Sequence, residues 1–136
     1  QLEHMPHVMQ CRAEIDAYYR EQLAHVPGIT CLPQGRQTVA NHSYFPILVG
    51  PEYPLSRDAL YEKLKENGIY ARRYFYPLIS DFPMYKSLPS STAETVKEAK
   101  VSAANVLCLP IFPALTPADQ NKILYTIKNI NQKENA

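Results

Sequence analysis

Glycine is scarce in this chain: four residues in 136, scattered singly, cannot build a Gly-rich cradle for phosphate groups. G-x-G-x-x-G, the P-loop, G-x-S-x-G and H-E-x-x-H are all missing. Cysteine is rarer still. Cys11, Cys31 and Cys108 are odd in number and widely spaced, which rules out a disulfide framework and a CxxC metal site and fits free thiols in a reducing cytoplasm. An excess of one charge is lacking too, since 14 Lys and Arg face 13 Asp and Glu for a net +1. A protein whose affinity came mainly from nucleic-acid phosphates would carry a basic footprint, so no nucleic-acid partner is expected. Apolar runs are only a few residues long, too short for a membrane-spanning helix, and QLEHMPHVMQ at the N-terminus has no basic segment leading into an apolar one. No membrane partner and no secretory signal are expected.

What remains is 46% hydrophobic and 20% charged, the balance of a folded soluble domain long enough to bury an ordinary core. Twelve prolines fall mostly at predicted junctions, which suggests a compact domain with rigid connections. A first helix starts near Pro6, carries Val8, Cys11, Ile15, Tyr18, Tyr19, Leu23 and Val26, and ends at Pro27-Gly28. Strands are predicted over Ile29–Leu32, closed by Pro33-Gln34-Gly35, and over Asn41–Val49, where Pro46 points to an edge or a bulge. A second helix spans Ser56 to Asn67 with Gly68 as its stop, and Ile69 to Tyr76 reads as the next strand. Ser91 with Glu94 makes a capping box for a third helix through Ala104. Val106 to Leu109 is a buried strand, and Thr116-Pro117 opens a last helix with Ile123, Leu124, Ile127 and Ile130. The tail from Asn131 is expected to fray. The order α-β-β-α-β-α-β-α predicts an α+β fold: a mixed or mainly antiparallel sheet of about four strands with helices on one face.

Few side chains offer autonomous chemistry. His7 and Cys11 share a helix face beside His4, but the nearest further ligand, His25, is several turns away, so no metal site is assigned. Asp58, Glu62 and Glu66 alternate with Arg57, Lys63 and Lys65, the pattern of a solvated face rather than an acid–base pair. No catalytic residue is assigned.

The informative stretch is ARRYFYPLISDFPMY, from Ala71 to Tyr85. Arg72 and Arg73 bring planar donor forks suited to phosphate or carboxylate, and Tyr74, Phe75 and Tyr76 bring flat apolar faces, two of them with a polar tip. Such a set suits a sugar, a base or an anionic cofactor. A plain core strand would use the same residues. Strand alternation puts Arg72, Tyr74 and Tyr76 on one face and Arg73 and Phe75 on the other, with Phe75 toward the core. If pairing ends near Tyr74, the side taken by Arg73 is open. The RNA-binding signature of sheet aromatics interleaves Gly with Phe, and this stretch has no Gly.

Taken in order, VPGIT (Val26 to Thr30), NHSYFPILV (Asn41 to Val49), LYEKLKENGIYARRYFYPLISDFPMY (Leu60 to Tyr85) and VLCLPIFPALT (Val106 to Thr116) resemble the C-terminal domain of the DegT/DnrJ/EryC1/StrS sugar aminotransferases. RRYFYPL followed by LCLPIFP is the specific pair. The resemblance implies a fold of the small aspartate-aminotransferase C-terminal domain, pyridoxal phosphate as cofactor, a nucleotide-sugar substrate, glutamate as donor, a homodimer and a cytoplasmic location. The wording is closest to dTDP-4-amino-4,6-dideoxyglucose transaminases, although sisters that aminate at C3 read similarly. It further implies that residues 1–136 are one domain of a longer aminotransferase, with the large cofactor-binding domain absent and the chain inactive alone. Carried over by motif, the substrate-facing residues are Arg73, Tyr74 and Tyr76, with Asn41 and Tyr44 on the neighbouring strand. None of the lysines stands in the context of a catalytic one. Rings left bare by the missing domain are expected at Tyr74, Tyr76 and Phe82, or at Tyr18 and Tyr19. The alternative reading is a free-standing sugar- or nucleotide-binding module without catalysis.

Overall fold

The computed structural model describes residues 2–33, 40–74 and 76–130. Helix α1 (Met5–Leu23) has Pro6 in its first turn, where a missing N–H removes no helix bond. Its inner face buries Ile15, Tyr19 and Leu23. The chain then passes Gly28, and no other residue fits there. Its φ is +74°, and an added Cβ would lie 2.1 Å from the Tyr53 backbone nitrogen.

Strand β1 (Ile29–Cys31) runs antiparallel to β2 (Phe45–Val49), with Cys31 opposite Ile47 as the last pair. Pro46 therefore lies just beyond the reach of β1 and is paired on one side only, with Cys108, which is how a central strand tolerates it. Helix α2 (Arg57–Glu66) is capped by Ser56, whose Oγ accepts the Ala59 N–H at 3.2 Å. It ends in a Schellman motif: Ile69 N–H donates to the Leu64 carbonyl and Gly68 N–H to that of Lys65, both at 2.9 Å, with Gly68 at φ +73°. Strand β3 (Arg72–Arg73), helix α3 (Lys97–Asn105), strand β4 (Val106–Leu109) and helix α4 (Pro117–Lys128) complete the order. Thr116 caps α4 by accepting the Asp119 N–H at 3.2 Å.

All pairings are antiparallel and the strand order is β1-β2-β4-β3. Phe45, Ile47 and Val49 alternate onto the face where they join Leu107 and Leu109, and the buried residues of α1, α2 and α4 close over them. Tyr19 meets Phe45 edge-on at 5.0 Å between ring centroids, and its hydroxyl donates to the Pro110 carbonyl at 3.0 Å. Helix α3 is the exception among the helices. Ala99 and Ala103 border a depression of about 300 Å³ with Leu48 and Val106, which point away from the main core.

Several predicted elements are trimmed or moved. The strand expected over Ile69–Tyr76 keeps only Arg72 and Arg73, opposite Cys108 and Leu107, because the Schellman turn occupies its start and Tyr74 already turns away. Asn41 to Tyr44 precede β2 rather than belong to it. The capping box at Ser91 does not form: Pro89–Ser91 is a 3-10 turn in which Ser91 N–H donates to Leu88, and α3 starts only at Lys97. Thr92 makes the local bond instead, its Oγ1 accepting the Thr95 N–H at 3.3 Å. Tyr19 is fully buried and Tyr18 donates to Asn121 at 2.6 Å, so neither is a bare ring, whereas Tyr76 and Phe82 are exposed. Gln34, Gly35, Phe75 and the tail from Asn131 lie outside the described residues.

Candidate functional site

Pairing between β3 and β4 ends at Arg73, and the strict alternation of a strand ends with it. The Arg73 guanidinium lies 4.6 Å from the centre of the Tyr76 ring and 4.6 Å from that of Tyr61 on α2. Its Nη1 donates to Asp58 Oδ1 at 3.3 Å. A second guanidinium, that of Arg57, lies 5.2 Å from the same Tyr76 ring. Beside this group the Tyr44 and Tyr74 rings meet at 5.3 Å with a 56° tilt.

Of the residues expected from sequence, Arg73 and Tyr76 are in contact, and so are Tyr44 and Tyr74. Asn41 is placed differently: its Oδ1 accepts the Ser43 N–H at 3.1 Å and so shapes the turn in which His42 takes φ +48°. Tyr44 and Tyr76 are about half exposed and offer ring surface to a ligand. The Arg73 side chain is 32% exposed, and its fork holds more donors than the one Asp58 uses.

Arg57 and Asp58 were missed, and Arg57 overturns the solvated-face reading. Its side chain is only 2% exposed, and Nη1 donates to the Val106 carbonyl at 3.0 Å. Asp58 is 58% exposed and faces both arginines, with Oδ1 3.0 Å from Arg57 Nε. The signal was present. The buried stripe Leu60–Leu64, carried one helical turn back, lands on Arg57.

A pyridoxal phosphate site needs a lysine in a cleft, a partner for the pyridine nitrogen and donors for the phosphate. Four described lysines make surface contacts: Lys63 pairs with Glu66 at 3.8 Å, Lys65 with Glu62 at 3.9 Å, Lys100 with Asp81 at 3.8 Å, and Lys128 donates to Gln22 at 2.7 Å. Lys122 lines a depression of about 300 Å³ with Tyr70 and Asp119, to which Arg57, Arg73 and Tyr76 contribute nothing. Among the described residues Arg57, Asp58, Arg73 and Tyr76 pair with no lysine, so these four do not form such a site by themselves. On α1, Cys11 Sγ lies 3.6 Å from His7 Nε2, and among the described residues no three metal-ligating side chains converge. Nor is any described helix long and apolar enough to cross a membrane.

Residues 1–128 match the DegT/DnrJ/EryC1/StrS aminotransferase family. Over 115 residues the chain is 46% identical to the dTDP-4-amino-4,6-dideoxy-D-glucose transaminase of Escherichia coli, covering 85% of this chain and 31% of that protein. The enzyme of the same name from Shigella dysenteriae is 42% identical over 130 residues, which is 96% of this chain and 35% of the relative. The crystal structure of DesI in the presence of its TDP-sugar product superposes with a TM-score of 0.77 at 27% identity, over 93% of this chain and 32% of that one. The chain thus spans about a third of the length of the relatives it matches. With a match that runs from the start of α1 to the end of α4, the chain belongs to the DegT/DnrJ/EryC1/StrS aminotransferase family.

Proposed function

We propose that residues 1–136 work as the C-terminal domain of a pyridoxal-phosphate-dependent aminotransferase. The full-length enzyme moves an amino group from glutamate to a dTDP-linked 4-keto-6-deoxyhexose, in the cytoplasm and as a homodimer, for surface-polysaccharide or amino-sugar synthesis. The cofactor is held by residues outside this chain. The names of the relatives support the substrate class, and one observation supports the role of this domain: a partly exposed guanidinium, that of Arg73, set against the half-exposed Tyr76 ring. Rings of this kind stack on a sugar and bond its hydroxyls, and an Arg fork matches a phosphate. Arg73, Tyr74, Tyr76 and Tyr44 are assigned to orienting the nucleotide sugar, with Asn41 shaping the turn that delivers Tyr44.

The test uses the full-length protein and follows the two half-reactions separately. Tyr76→Phe and Arg73→Lys should each impair the sugar half-reaction by about 1–3 kcal/mol and leave the glutamate half-reaction nearly unchanged. Arg73→Lys is the sharper variant, because Lys keeps the charge and loses the fork. Equal damage to both half-reactions would assign these residues to the fold or the cofactor and remove them from the substrate site.

A further inference from the structure

We infer that Asp58 is a positioning residue, whose carboxylate fixes the two guanidinium groups that hold the Tyr76 ring. The inference rests on the reading of Tyr76 as a substrate contact. Arg57 cannot touch a ligand, because its side chain is 2% exposed and its Nη1 donates to the Val106 carbonyl at 3.0 Å. What it does touch is Tyr76, at 5.2 Å from the ring centre, where the Arg73 guanidinium also sits at 4.6 Å. Two cations on one ring repel each other, and the repulsion grows where solvent is excluded. Asp58 Oδ1 lies 3.0 Å from Arg57 Nε and 3.3 Å from Arg73 Nη1, so a single carboxylate oxygen faces both cations and reduces their repulsion. Buried Arg57 Nε has no hydrogen bond and depends on this carboxylate for charge compensation.

The result is a chain of contacts from a rigid element to a loop. Ser56 caps α2 and fixes its first turn, the first turn carries Asp58, and Asp58 sets the guanidinium groups against Tyr76. Tyr76 lies beyond the end of β3, so no sheet hydrogen bond holds it. A competing role would make Asp58 a temporary counter-ion that gives up Arg73 to a ligand phosphate. The geometry favours positioning, because Arg57 keeps its hold on Asp58 whatever Arg73 does.

The experiment compares full-length wild type, Asp58→Asn, Tyr76→Phe, Tyr76→Leu and the double variant Asp58→Asn with Tyr76→Leu. Asp58 is largely exposed, so Asp58→Asn should fold. It should raise KM for the nucleotide sugar about fivefold, the upper end for a partly exposed ion pair, with kcat changed less than about twofold. In the Tyr76→Leu background the further rise should be markedly smaller, because the ring through which Asp58 acts is gone. A fall in KM would show that Asp58 competes with the ligand, and fully multiplicative effects would show that it acts apart from Tyr76. Either result overturns the inference. Tyrosine ring-carbon NMR gives a readout without substrate: Tyr76→Phe identifies the Tyr76 signal, and Asp58→Asn should shift that signal while the Tyr53 signal stays. An unmoved Tyr76 signal refutes the positioning role. If instead Tyr76→Phe leaves the sugar KM unchanged while Asp58→Asn shifts the signal, the substrate reading fails and the positioning stands.

Discussion

Asp16 and Arg20 stand one turn apart on α1, and Arg20 Nε donates to Asp16 Oδ1 at 2.7 Å. Asp16 is 4% exposed, so this charge-assisted bond is made largely out of water. Arg20 also donates from Nη1 to the Leu32 carbonyl at 2.7 Å, while Asp16 Oδ2 lies 3.5 Å from His42 Nδ1. Arg20 therefore ties the end of β1, and Asp16 the approach to β2, to the same helix.

Asp16→Asn should destabilise the protein by about 2–3 kcal/mol, below the cost of breaking a fully buried pair because Arg20 keeps some solvent. Urea unfolding measures it. A loss under about 0.5 kcal/mol would place the pair among ordinary surface contacts.

Two glycines of nearly equal φ should respond very differently to alanine. At Gly28 the new Cβ meets the Tyr53 backbone at 2.1 Å, whereas at Gly68 the nearest atom is the mobile Lys122 Nζ at 3.9 Å. Gly68→Ala should cost about 1 kcal/mol, the price of the left-handed backbone alone. Gly28→Ala should cost well beyond that, on the order of 3 kcal/mol or more, since the backbone must also move. Equal midpoint shifts for the two variants would contradict the close approach at Gly28.

Tyr19 and Tyr53 should make the protein sensitive to alkali. Burial pushes both phenols well above their ordinary value of 10.0, with the Asp119 charge adding to the effect at Tyr19. Below pH 10 both are neutral whether the chain is folded or not, and their contribution is fully present. Above it the unfolded chain sheds protons that the folded one keeps, so stability falls by up to about 2.7 kcal/mol per pH unit for two groups. Absorbance at 295 nm should show these two ionising only as the fold is lost. Replacing either by Phe removes one group from that step.

Legibility followed the locality of the signal. Ser56, Gly68 and Thr116-Pro117 act within a single turn, and both ends of α2 and the start of α4 were readable from them. Ser91 offered the same local signal and was overruled by Pro89, which started a tighter turn first. The length of β3 depended on its partner: β4 is short and buried, and it pairs with only Arg72 and Arg73. Within the site, the aromatic-plus-Arg stretch was conspicuous in composition. Asp58 and Tyr61 came into view only through folding, because they reach Arg73 from another element. Arg57 was hidden by its neighbours, since an arginine among acids and lysines reads as solvated until the buried stripe is extended to it.

From Asp81 to Ser90 every residue is exposed, Met84, Tyr85 and Leu88 included. Internal bonds such as Tyr85 N–H to the Phe82 carbonyl at 2.9 Å shape this stretch, while the core cluster draws on none of it. Insertions, deletions and substitutions there remove no member of the core cluster, so drift in this stretch is shielded from selection on that cluster. It begins five residues after Tyr76, which makes it a stretch where a lineage can remodel the surface that follows the proposed substrate contacts while the sheet stays fixed.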